Sequence, residues 1–125
     1  MSFEPILEQI VADGPGILAA ALVAEDGLII GQASASTRPQ DGGAPWDLTA
    51  WGVEMGRFFE GLSAHSHEWG AGGPSELMIR LEGLTVLGSR LDEEILLVLG
   101  VAPDGNIGKA RYLMRRERWA ISQEI

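Results

Sequence analysis

The sequence predicts an α/β domain of the segregated (α+β) kind, an antiparallel sheet flanked by helices in the order α-β-β-α-β-β-β-α. Three observations predict it. Apolar residues recur at helical spacing in three stretches, with short apolar runs between them. Asp26-Gly27 divides two of those runs, a hairpin signal. Three more runs follow one another between residues 76 and 102, joined by turns too short for parallel crossovers.

The first element is a helix, because Phe3, Ile6, Leu7, Ile10 and Val11 fall on one face. Ser2 is placed to cap it, and Gly14-Pro15-Gly16 stops it. Ile17–Ala24 and Leu28–Ala33 read as strands. The Asp-Gly pair between them suits a type I′ turn, which needs positive φ at both centres. Residues 34–46 form a loop, longer than a strand-to-helix connection usually needs. It ends at Asp47, a helix cap, with Trp46 and Trp51 stapled across it. The second helix spans about Leu48 to Trp69, and Gly70-Ala71-Gly72-Gly73-Pro74 ends it. The closing meander is Glu76–Leu81, Leu84–Arg90 and Ile95–Ala102. A last helix starts near Asn106 and buries Ile107, Ala110, Leu113 and Met114.

Strand polarity orders the sheet. Ile17–Ala24 and Ile95–Ala102 are apolar on both faces, as central strands covered on both sides are. In Glu76–Leu81, by contrast, Glu76, Met78 and Arg80 alternate with Leu77, Ile79 and Leu81, which suits an edge.

At 125 residues the chain has room for one domain, expected to span 1–125. Net charge is −9 and unevenly spread: residues 1–108 carry 16 acidic and four basic side chains, residues 109–125 five basic and two acidic. An acidic body repels phosphates, so neither nucleic acid nor an anionic membrane is an expected partner. No apolar run approaches the roughly 18 residues of a membrane span, and no signal peptide is visible. Zero cysteines exclude disulfides and thiol chemistry and fit a cytoplasmic location.

The long helix carries the strongest functional signal. Leu48, Trp51, Met55, Phe58, Leu62, His65 and Trp69 follow steps of three and four, a three-heptad seam. Beside it run Gly52, Gly56, Phe59, Ser63 and Ser66, mostly small. Together the stripes span about half the circumference, more than the roughly 100° that docking on a sheet requires. A concave sheet could bury such a width. With an edge strand nearby, one stripe covering the sheet while the other meets a second copy is the better reading.

The element order, the hairpin Glu25-Asp26-Gly27-Leu28-Ile29 and the segment Asp104-Gly105-Asn106-Ile107-Gly108-Lys109-Ala110-Arg111 resemble the roadblock/dynein light-chain family. Its bacterial branch contains regulators of Ras-like GTPases. The resemblance covers roughly residues 3 to 118. It implies a five-stranded antiparallel sheet of order 2-1-5-4-3, with a long helix on one face and two further helices. It also implies a homodimer joined through the long helix and third strand, serving as platform for a small Ras-like GTPase or a multiprotein assembly. On that basis Trp51, Met55, Phe58, Phe59, Leu62, Leu77 and Ile79 are expected at the dimer interface. Arg38, Lys109, Arg111, Arg115, Arg116 and Arg118 are candidates for docking a partner, although a basic last helix is also a normal solvated face.

No enzymatic chemistry is expected. There is no GxxxxGK[ST] loop, and Gly72-Gly73-Pro74-Ser75 precedes a strand, so it cannot aim a helix N-terminus at an anion. His65 and His67 point about 200° apart on a helix, which argues against a shared metal. Asp92-Glu93-Glu94 reads as a solvated turn. No cofactor is implied. The alternative is a small-ligand sensor with a pocket between the sheet and the long helix, for which few inward polar groups are on offer.

Overall fold

The chain is described by a computed structural model covering residues 3–24, 26–35, 48–92 and 94–124. Its elements are α1 (Glu4–Asp13), β1 (Ile17–Ala24), β2 (Ile29–Ser34), α2 (Thr49–Glu68), β3 (Glu76–Arg80), β4 (Thr85–Arg90), β5 (Ile95–Val101) and α3 (Ile107–Glu124). The strands form one antiparallel sheet ordered β2-β1-β5-β4-β3.

The central strands are the doubly apolar ones, for the expected reason. On one face Ile17, Ala20 and Leu22 of β1 join Leu97, Leu99 and Val101 of β5 under α1 and α3, with Leu7, Ile10, Leu113 and Met114 closing the layer. On the other face Ala19, Ala21 and Val23 join Val86, Leu96 and Val98 under α2. Each fully buried Leu, Ile or Val contributes on the order of 1.5–3 kcal/mol, so the two layers together hold the sheet between helices.

The β1–β2 turn departs from expectation. Of Asp26 and Gly27 only the glycine has positive φ, +90°, so the turn is not type I′. Asp26 Oδ1 instead accepts the Leu28 N–H at 3.0 Å, and the Gly27 N–H reaches the Ala24 carbonyl at 2.8 Å. The register then slips between Leu22 and Val23. A turn closed by a left-handed glycine with a neighbouring bulge is the alternative hairpin solution, and it needs no positive φ at the aspartate.

Cap assignments at Ser2, Trp46 and Asp47 fall outside the described residues. Phe3 and Leu48 precede α1 and α2 without a side-chain cap bond. At α3, Asn106 Oδ1 accepts the Lys109 N–H at 2.9 Å and fixes the helix start. Ile107 is only half-buried, but the helix continues through Trp119 to Glu124 and seats Ile121 in the core. The acidic turn before β5 is held by Asp92 Oδ1, which accepts the Glu94 and Ile95 N–H groups at 2.8 and 2.9 Å.

Candidate functional site

α2 owes its position to one close approach. A Cβ on Gly52 would lie within 3 Å of three Val23 side-chain atoms, so only glycine lets the helix settle this near β1. From there the buried line runs Leu48, Gly52, Met55, Phe59, with Ser63 and Ser66 half-buried at its far end. These residues come from both stripes read in the sequence. The small residues serve the sheet contact, and the bulky set splits.

Met55 and Phe59 are 0% and 1% exposed within a single copy. Phe58 is 48% exposed, Leu62 44% and Trp69 86%, while Trp51 is half-buried. At about 100° per residue, Trp51, Phe58, Leu62 and Trp69 lie within one narrow arc beside the buried line. Val53 lies on the opposite flank, where the β1–β2 turn approaches it at Gly27. The apolar arc therefore leans away from the hairpin, toward the β4–β3 side. There Leu77 and Ile79, both half-buried, pack on the same core layer. β3 is an end strand and pairs only with β4, so its outer backbone edge has no strand partner among the described residues.

This combination has a plain chemical meaning. An apolar helix flank leans toward the side of the sheet that ends in an open strand edge, and both gain by being covered. Each half-exposed large side chain would add on the order of 1 kcal/mol on burial. The open edge offers a row of backbone donors and acceptors to a further strand.

The basic residues of α3 are mostly engaged within the chain. Arg115 Nη2 lies 3.0 Å from Glu76 Oε2, and Arg111 Nε lies 3.7 Å from Glu76 Oε1. Arg116 bridges Asp13 of α1 at 2.8 Å and Glu117 at 2.7 Å. The hydrogen bond from Arg116, followed by one from Gln9, holds the Asp13 carboxyl below its ordinary range. In turn Asp13, then Glu117, raises the Arg116 guanidinium above its ordinary value. Arg118 donates to the Arg90 carbonyl at 3.0 Å, and the Lys109 ammonium sits 5.4 Å from the Tyr112 ring centre. Arg38 lies outside the described residues. His65 and His67 are both exposed, and no cluster of three metal-ligating side chains occurs among the described residues.

Among the described residues, clefts lie at the margins of the sheet. One lies between β3 and α3 and is lined by Glu76, Leu77, Met78, Leu87, Gly88 and Arg111. Another lies beside α1 and the end of β2. The sequence reading did not single out the first, although its signals were present: Glu76, Met78 and Arg80 alternate onto one strand face, and Arg111 and Arg115 are one helical turn apart.

No protein-family model matches the chain, and no curated protein matches it. Solved structures do. Gliding protein MglB from Thermus thermophilus is 19% identical, with TM-score 0.81 over 95% of this chain and 84% of its own. MglC from Myxococcus xanthus is 27% identical, with TM-score 0.69 over 100% of both chains. A roadblock/LC7 domain from Streptomyces avermitilis is 12% identical, with TM-score 0.80 over 99% of this chain and 98% of its own. The fold of this chain is the roadblock fold.

Proposed function

We propose that this chain is a non-enzymatic, cytoplasmic regulator or scaffold that works as a homodimer and binds a small Ras-like GTPase. Two copies join through the α2 flank and the β3 edge. The observation that carries this reading is the exposed arc of Phe58, Leu62 and Trp69 beside an end strand with an open edge. Trp51, Leu77 and Ile79 complete the contact. Met55 and Phe59 serve it from below, by setting the height of the helix on the sheet.

The partner class follows from the family resemblance of the sequence and is supported by structural neighbours named MglB and MglC. The small-ligand alternative is less well supported, because the layer beneath α2 is filled by Leu48, Met55, Phe59 and the sheet residues facing them.

Light scattering coupled to gel filtration tests both parts. The chain is mixed with a Ras-like GTPase loaded with GDP or with a non-hydrolysable GTP analogue. The expected species contains two copies of the chain together with the GTPase. A chain dimer that retains no GTPase in either nucleotide state would remove the GTPase and leave the scaffold. A monomeric chain would remove both.

A further inference from the structure

The cleft between β3 and α3 has its own chemistry. Met78 and Leu87 are cross-strand partners facing the α3 side; Leu87 is buried in the core layer beneath α1 and α3, and Met78, nearer the sheet edge, is left uncovered. Met78 is therefore half-exposed at the floor of an open cleft of about 210 Å³. A cavity of about 150 Å³ accepts a benzene-sized group, so one phenyl or leucyl side chain fits here.

Charge surrounds that floor unevenly. Glu76, Met78 and Arg80 share one face of β3, and Arg111 and Arg115 stand above it on α3. Glu76 is the one carboxylate that Arg111 and Arg115 share. Arg80 is exposed and makes no ion pair among the described residues. Three guanidiniums against one carboxylate make a locally positive rim on a chain of net charge −9. The Arg111–Glu76 contact at 3.7 Å is long and half-exposed, so redirecting Arg111 toward another carboxylate costs little.

We infer that this cleft docks a linear acidic segment of a partner protein. An apolar side chain of the segment sits on Met78 and Leu87, and its flanking carboxylates accept hydrogen bonds from Arg111, Arg115 and Arg80. Guanidinium–carboxylate pairs supply geometry as well as attraction, and the apolar seat fixes the register of the segment. The side chains of Leu77 and Ile79 point to the other face of β3, so the site does not require the dimer proposed above.

Fluorescence anisotropy with a labelled peptide, acetyl-Asp-Glu-Phe-Asp-Glu-amide, tests it. Saturable binding is expected, weakening with added salt. The double substitution Arg111→Gln with Arg115→Gln, and separately Met78→Asp, should each weaken it by about tenfold or more. Arg80→Gln should weaken it less. Thermal melts of each variant establish that the fold is kept, and a variant that unfolds is replaced by Arg80→Glu, which lies at the exposed edge. Binding that survives in folded variants overturns the assignment. So does equal binding of a peptide with lysine in place of each acid, or no binding of the acidic peptide.

Discussion

The two faces of the sheet are finished to different degrees. On one, α1 and α3 lie side by side, and their outer charges are tied to the chain itself: Arg116 to Asp13 between the helices, Arg111 and Arg115 to Glu76 on β3. On the other a single helix covers the centre, with Phe58, Leu62 and Trp69 left in solvent along one flank. Surface apolar residues scattered singly mean nothing, but an ordered arc of them on the side of the sheet with an open strand edge is the surface that the proposed dimer uses. The difference is what the proposed dimer rests on. The α1/α3 face carries its charges largely in internal ion pairs and an open cleft at β3, whereas the α2 face carries an exposed apolar arc that the proposed second copy would cover.

Substitutions along α2 sharpen that contrast. Phe59→Ala removes a fully buried ring from the inner line and should cost about 3–5 kcal/mol in denaturant unfolding, whatever the oligomeric state. Gly52→Ala pushes a methyl into Val23 and should cost about 1–3 kcal/mol by the same measurement, with the helix lifted from β1. Phe58→Asp, one residue from Phe59, should change the stability of a single copy by only about 0.5 kcal/mol, yet abolish the dimer in light scattering. If Phe58→Asp destabilised a single copy as much as Phe59→Ala does, the inner and outer lines would not be distinct.

The smallest effect belongs to the other face. Asp13 has its carboxyl pKa lowered in the fold by the Arg116 hydrogen bond. A lowered folded value stabilises above the unfolded pKa, and that contribution is lost as pH falls through the folded one. Asp13→Asn should therefore melt slightly below the parent at neutral pH. The gap should close on acidification below the ordinary aspartate value of 3.8, as differential scanning fluorimetry would show.

Most of the fold was legible in the sequence because period and polarity point the same way. The alternation at Glu76–Arg80 marked an edge, and the doubly apolar runs at 17–24 and 95–101 marked the centre. The hairpin was legible as a reversal but not as a turn type, since Asp-Gly fits either a type I′ turn or a loop with a left-handed glycine and a bulge. The site was half legible. A helical wheel shows that α2 is apolar over too wide an arc, but the wheel has no zero: only contact with Val23 reveals that Gly52 marks the sheet side. Met55 and Phe59 therefore fall inside and Phe58 and Leu62 outside, although heptad counting put Met55, Phe58 and Leu62 in one seam. Likewise, the row of arginines on α3 reads as a free basic face until Glu76 and Asp13, distant in sequence, are brought under it.

Sedimentation velocity on the unmodified chain, over a concentration range spanning micromolar to near-millimolar, bears most directly on the unfinished face. A two-copy species is expected, with tryptophan fluorescence shifting to shorter wavelength as Trp51 and Trp69 are covered. A single-copy species at every concentration, with Trp69 still quenched by a water-soluble quencher, would contradict it.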